Sequence, residues 1–161
     1  MEYLWTPWRS TYINEKKRLK DCIFCTAAAA DADAENLLVY RGKLAFVILN
    51  RYPYTAGHVM IAPYEHVSWL CAASEAATEE IMLLARKAEA ILNAVYRPGG
   101  LNLGMNLGEA AGAGIEHHIH LHVLPRWTGD ANFMTTVGAT RVLPEDLNET
   151  YRKLSRAFQE R

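Results

Sequence analysis

Four of the six histidines in the sequence fall within His117-His118-Ile119-His120-Leu121-His122. In an extended chain alternate side chains share one face. His118, His120 and His122 are therefore expected on one side of a strand, about 7 Å apart along it. Ile119, Leu121 and Val123 enter a core on the other side, and His117 stands outside the alternation near the strand's start. Three imidazoles on one face are costly as packing alone, because each carries two polar nitrogens that need partners when buried. The two uses that account for them are metal binding and catalysis. Next-neighbour histidines on a strand can chelate, so spacing by itself leaves the metal use open.

Catalysis explains more of the surrounding sequence. Immediately upstream lies Gly104-Met105-Asn106-Leu107-Gly108-Glu109-Ala110-Ala111-Gly112-Ala113-Gly114. Glycines let a loop approach a ligand closely and present backbone N–H groups to anionic oxygens. No Gly-Lys-Ser/Thr follows, so this is not a Walker loop. Beside a histidine strand it suggests a phosphate seat. An imidazole with an ordinary pKa of about 6.5 is largely neutral at pH 7 and needs no strong base to act as a nucleophile. Attack on phosphorus gives a phosphoramidate whose P–N bond is readily cleaved, so one difficult displacement becomes two easier ones. Charge growing on the phosphoryl oxygens calls for fixed donors. Asn106, His122 and the loop amides, those of Gly112 and Gly114 included, are the candidates.

The elements that must position these groups follow from periodicity and breakers. Cys25 to Ala34 is alanine-rich and predicts a short helix. Asn36 to Tyr40 and Ala45 to Leu49 read as strands around an Arg41-Gly42-Lys43 turn. Gly57 to Ala62 is a third strand. Ser74 is a candidate N-cap for a long helix from Glu75 to Tyr96, whose apolar positions Ile81, Leu84, Ala85, Ala88, Ile91, Leu92 and Val95 follow helical spacing. Pro98-Gly99-Gly100 ends it. Leu101 to Asn106 and the segment Ile119 to Leu124 complete five strands. Trp127 to Arg141 reads as loop, and Pro144 opens a last helix through about Phe158, with Glu145 and Asp146 favourable to its dipole. Short links between strands favour an antiparallel α+β sheet over a doubly wound one.

The 161 residues suit one domain spanning 1–161. Within it, residues 1–20 form an N-terminal packing segment, since Trp5, Trp8 and Tyr12 are too apolar for a free tail. They are expected to pack on the domain or on a second subunit. Lys16-Lys17-Arg18-Leu19-Lys20 reads as a solvated surface. The formal net charge of -1 argues against broad nucleic-acid or membrane binding. The start of the chain lacks a signal-peptide pattern, and no run of about 18 apolar residues is present, so a cytoplasmic protein is expected. Three cysteines argue against a disulfide scaffold. Cys71 reads as a small buried apolar residue. Cys22-Ile23-Phe24-Cys25 has zinc-knuckle spacing but needs two further ligands. An unmetallated buried pair is the alternative, and a thioredoxin-type redox pair lacks its βαβ context.

His118-Ile119-His120-Leu121-His122-Val123-Leu124 resembles the signature of the histidine triad (HIT) superfamily. The resemblance extends over Asn50-Arg51-Tyr52-Pro53-Tyr54, Gly57-His58-Val59-Met60-Ile61-Ala62-Pro63 and His66. Trp5-Thr6-Pro7-Trp8-Arg9, Cys22-Ile23-Phe24-Cys25 and Leu143-Pro144-Glu145-Asp146-Leu147 resemble a bacterial branch of it. Pro125-Arg126-Trp127 and Gly129-Asp130-Ala131-Asn132-Phe133 are similar to the branch containing diadenosine tetraphosphate phosphorylases.

The resemblance implies a HIT-like α+β domain, a homodimer or higher homo-oligomer, that binds purine nucleotides. It makes His120 the nucleophile, oriented by the backbone carbonyl of His118, and puts His122 on the phosphate under attack. Asn50 would hold the ribose hydroxyls, Asn106 phosphate, and Leu49 and Ile48 the base. It also implies structural zinc on Cys22, Cys25, His66 and His118, with His117 as the alternative to His118, and no organic cofactor. Many dinucleotide hydrolases of the superfamily carry a glutamine where this chain has Gly114. Its absence fits the phosphorylase branch, in which inorganic phosphate rather than water resolves the nucleotidyl-histidine and diadenosine tetraphosphate yields ADP and ATP. The competing expectations are a hydrolase of dinucleoside polyphosphates or nucleoside phosphoramidates, and a nucleotide- or zinc-binding module without turnover. His58 reads either as a hydrogen bonder behind the triad or as a strand cap. Trp127 and Asn132 are candidates to close over substrate, with surface packing the alternative for Trp127.

Overall fold

The computed structural model describes residues 22–131, 133–138 and 144–160. The packing segment 1–20, Asn132 and Leu143 lie outside them. In chain order the elements are α1 (Ile23–Ala29), α2 (Asp33–Asn36), β1 (Leu38–Arg41), β2 (Ala45–Leu49), β3 (Val59–Pro63), a 3-10 turn (Leu70–Ala72), α3 (Glu75–Tyr96), β4 (Gly100–Gly104), a second 3-10 turn (Glu109–Ala111), β5 (Leu121–Arg126), α4 (Phe133–Thr136) and α5 (Leu147–Gln159). The five strands form one sheet in the order β1-β2-β3-β5-β4, and each neighbouring pair is antiparallel. The α+β class expected from the sequence is the one observed.

Every residue of β2 and β3 is buried. These central strands are covered on both faces, which is why they read as continuous apolar runs rather than alternating ones. One face carries Val47, Leu49, Val59, Ile61, Leu121 and Val123 against α3 and α5. The other carries Phe46, Ile48, Met60 and Ala62 against Phe24 and Ala27 of α1.

α3 has the predicted bounds. The Ser74 hydroxyl accepts from the Ala77 amide, and Ala77, Ile81, Leu84, Ala85, Ala88, Ile91 and Leu92 are buried. Val95, at the frayed end of the stripe, is exposed. Gly57, with φ +75°, fits where a Cβ would lie 2.9 Å from the Tyr96 ring, so this turn admits the end of α3 only because it lacks a side chain.

Several boundaries differ from expectation. The stretch Cys25 to Ala34 is two short helices rather than one, and the second ends at Leu37 with φ +62°, so β1 starts at Leu38, not Asn36. The third strand is Val59–Pro63 and the fourth Gly100–Gly104, because their ladders with β2 and β5 set the limits. The fifth begins at Leu121, so His118 and Ile119 run in ahead of the ladder. Part of the expected loop after Trp127 is helical, at Phe133–Thr136. The last helix opens at Leu147 rather than Pro144. Asp146 is its N-cap, accepting from the Asn148 and Glu149 amides, while Glu145 turns back to bond Tyr96, Thr150 and Lys153. Cys71 is exposed rather than buried, because its 3-10 turn rides the surface between β3 and α3. Among the described residues no helix is long and apolar enough to cross a membrane.

Leu154 and Phe158 of α5 are fully or almost fully buried in the cluster beneath the sheet. Leu154→Ala is expected to lower stability by about 2–5 kcal/mol. The check is a shifted urea midpoint at unchanged m value.

Candidate active site

The approach to β5 lays His118, His120 and His122 in a row on the face shared with α1. Phe24 lies 5.1 Å from His118 and 4.9 Å from His120, ring centre to ring centre. His120 and His122 are 4.8 Å apart and edge-to-face, closer than the strand repeat because the rings lean together. Ile119, Leu121 and Val123 are buried, and Leu121 and Val123 lie in the cluster under α3.

The His118 and His120 rings are each fixed by a backbone carbonyl, which can only accept. His120 Nδ1 lies 2.9 Å from the His118 backbone oxygen, which can only accept. Nδ1 therefore carries the proton and Nε2 carries the lone pair. Among the described residues nothing is hydrogen-bonded to that Nε2. Burial lowers the His120 pKa, and the His118 carbonyl opposes the shift without reversing it. The ring is thus neutral at physiological pH, with its lone pair available.

A second chain of bonds sets His122. The Tyr54 backbone N–H, which can only donate, lies 3.2 Å from His58 Nδ1. The Asn50 amide reaches the same atom at 3.3 Å, while its oxygen accepts from the Tyr52 amide. Nδ1 of His58 is therefore the acceptor, and its Nε2–H donates to His122 Nδ1 at 2.9 Å. His122 in turn must carry its proton on Nε2, as a donor. His58 is 1% exposed, and burial with the neighbouring His122 and His120 pushes its pKa down to about 2. Burial, and then His120, pushes His122 down to about 4. Of the two expectations for His58, hydrogen bonding behind the triad is the one the structure shows.

On the far side of His118 the two cysteines and His66 converge. Cys22 Sγ is 3.3 Å and Cys25 Sγ 3.6 Å from His118 Nδ1, and Cys25 Sγ is 3.2 Å from His66 Nδ1. The four donor atoms lie within 4.8 Å of one another. His118 Nε2 donates to the Pro63 carbonyl at 2.9 Å, which leaves Nδ1 as the ligand nitrogen. Two sulfurs and two imidazoles so arranged suit a tetrahedral ion, and the carbonyl behind His118 is the usual outer partner of a ligating histidine. His117 is exposed and its ring lies beside His66, outside the four-donor group.

The other expected residues are placed as follows. Asn50 directly follows β2, half-buried in the His58 network. Asn106 is exposed two residues beyond β4. In the glycine loop, Gly108 and Gly112 have φ +82° and +84° around the second 3-10 turn, and Gly114 is half-buried at a bend. Ile48 faces the histidine side but Leu49 faces α3, so the two do not line one pocket, because adjacent strand residues point oppositely. Trp127 packs edge-on against Tyr96 at 6.5 Å, which is the surface-packing alternative. Sequence reasoning overlooked Tyr54, whose ring lies 4.8 Å from His58 and 6.2 Å from His122. It also overlooked Phe24, hidden as a spacer between the cysteines. The one available signal was an aromatic inside a Cys-x-x-Cys pair.

Residues 31–129 match the HIT domain family. The chain is 40% identical over 96% of its length to AP-4-A phosphorylase of Mycobacterium tuberculosis (strain CDC 1551 / Oshkosh), covering 83% of that protein. The chain belongs to the HIT family. It is an enzyme of that family, which sets aside the module without turnover. Among solved HIT structures, a Zn-bound histidine triad family protein from Mycobacterium smegmatis superposes with a TM-score of 0.70 at 28% identity, over 87% of this chain and 94% of that one. Plasmodium falciparum diadenosine triphosphate hydrolase shares the fold, with a TM-score of 0.64 at 16% identity over 78% of each chain.

The linked His58–His122 pair makes a testable statement. Both rings stay neutral well below the reference pKa of about 6.5, so between pH 6.5 and about 4 the unfolded chain binds protons the folded HIT domain refuses. Stability falls as pH drops through that window, by about 1.4 kcal/mol per pH unit for each such proton. In His58→Phe the slope is expected to be shallower. Imidazole ¹⁵N spectra should show His122 losing its single Nε2–H tautomer, and an unchanged His122 tautomer would refute the relay.

Proposed function

We propose that this HIT enzyme transfers a nucleotidyl group through a covalent nucleotidyl-His120 intermediate. Its reaction is the phosphorolysis of diadenosine tetraphosphate to ADP and ATP. The observation that carries the reading is the 2.9 Å bond from His120 Nδ1 to the His118 carbonyl, which leaves a neutral Nε2 lone pair as nucleophile. His120 Nε2 attacks the phosphorus next to one adenosine, the P–O bond to the remaining chain breaks, and ATP leaves with the electron pair. Inorganic phosphate then attacks the adenylyl-histidine, the P–N bond breaks, and ADP is released. The His122 Nε2–H, held outward by His58, donates to a phosphoryl oxygen as charge builds. Asn106 and the amides around Gly112 and Gly114 form the phosphate seat, and Asn50 holds the ribose. Likeness to AP-4-A phosphorylase supports phosphate as acceptor, as does Gly114 where many dinucleotide hydrolases of the superfamily carry a glutamine.

Zinc is the metal we assign to Cys22, Cys25, His66 and His118. The donor set supports it, as does the Zn-bound relative. When bound, the ion supplies a structural crosslink. His118, whose carbonyl orients His120, would have its side chain fixed by that crosslink. The oligomer we propose is a homodimer covering the edge strand β4, where Leu103 is exposed.

The reaction is tested by supplying diadenosine tetraphosphate with and without phosphate. ADP and ATP should form only with phosphate, and label from ¹⁸O-phosphate should enter ADP. Phosphate-independent formation of AMP and ATP would make the enzyme a hydrolase instead. His120→Gly should lower kcat by at least about 10⁴-fold while nucleotide still binds. For the metal, elemental analysis should find one zinc per chain. Cys25→Ser should reduce that content and the melting temperature together.

A further inference from the structure

We propose that Phe24 is a positioning residue for His120 whose aromatic ring, packed against the imidazole, supports the positive charge His120 acquires while it carries the nucleotidyl group. The proposal rests on the nucleotidyl-transfer reading above. His120 starts neutral, with Nδ1–H donated to the His118 carbonyl. When Nε2 spends its lone pair on phosphorus, both ring nitrogens are substituted and the imidazole becomes a cation. The leaving ATP takes the electron pair of the broken P–O bond. The charge on the ring persists until phosphate attacks and the P–N bond returns its electrons to Nε2.

That cation has few supports. Among the described residues no carboxylate is hydrogen-bonded or ion-paired to His120, and its recorded polar partner is one backbone carbonyl. The rings against it are His122, edge-to-face, and Phe24. Phe24 is 0% exposed, and its ring centre lies 4.9 Å from that of His120 at an interplanar angle of 39°. This is inside the roughly 6 Å range over which an aromatic quadrupole attracts a cation, in a site where little water competes. The interaction is weak for the neutral ring and stronger for the charged one, so it favours the intermediate over the ground state.

The position of Phe24 is set locally. It occupies the first turn of α1, between Cys22 and Cys25, whose sulfurs sit on His118. The helix that brings the thiols to His118 therefore also brings this ring against His120. Phe46 lies 6.5 Å from Phe24 and packs on Tyr64. It serves as a control of equal burial.

The test replaces Phe24 in the full chain with 4-fluoro-, 3,4-difluoro- and 3,4,5-trifluorophenylalanine by site-specific incorporation. These keep the shape while draining the quadrupole. Phe24→Leu and Phe46→Leu are compared alongside. Single-turnover formation of the adenylyl-enzyme from diadenosine tetraphosphate is followed by quenching and mass spectrometry, with KM, zinc content and melting temperature measured on each protein. Adduct formation should slow step by step with each fluorine, by roughly two- to thirtyfold in all, with KM and zinc content unchanged. Phe24→Leu should be slowed at least as much, and Phe46→Leu should keep its rate despite a comparable loss of stability. A rate independent of fluorine content overturns the proposal while leaving nucleotidyl transfer standing. A wild-type enzyme that forms no adduct overturns the underlying reading and this one with it. Should Phe24→Leu fail to fold, the shape-preserving series still decides.

Discussion

The bond between the His118 carbonyl and His120 Nδ1 is the constraint on which the rest of the site depends. A histidine in a protein interior has two tautomers of similar energy, and only one leaves Nε2 able to attack. An accepting backbone oxygen 2.9 Å away removes the choice. That oxygen belongs to the residue whose side chain joins the Cys22, Cys25 and His66 cluster. One residue therefore has its ring in the four-donor group and its carbonyl on the proposed nucleophile. Movement at the first is carried to the second through a few covalent bonds.

Burial makes this arrangement work and makes it demanding. His58, His118 and His120 are almost wholly enclosed, and each is kept neutral because a buried charge would have no adequate partner. The polar demand is met by backbone groups whose roles cannot switch, namely the Pro63 carbonyl, the His118 carbonyl and the Tyr54 amide. A row of histidines anchored to groups that only donate or only accept holds a single pattern of protons. The His120 Nε2 lone pair and the His122 Nε2–H, the nucleophile and donor of the proposed reaction, are therefore both defined before any substrate arrives.

The sheet makes those anchors available. β3 and β5 are neighbours, with Met60 opposite His122 and Val59 opposite Val123, so His58, one residue ahead of β3, meets His122. The turn before β3 folds back to place the Tyr54 amide on His58. On the reverse face α3 and α5 supply the apolar burial that keeps β2, β3 and β5 in register. The face toward α1 is left for chemistry.

Much of this was legible in the residues alone. The two-residue period put three imidazoles on one side, the helical stripe and Ser74 bounded α3, and the Cys-x-x-Cys spacing called for two more ligands. All of these are local, since they follow from how successive side chains point along a strand or helix. The sequence could not say which histidine Nδ1 belongs to which partner, that His58 lies behind His122 although the two are 64 positions apart in the chain, or that the Phe24 ring packs against His120. Nor could it show that Cys71 is on the surface. These are contacts between segments distant in the chain. They are decided by strand order and register, which fix distances and donor roles that no local pattern encodes.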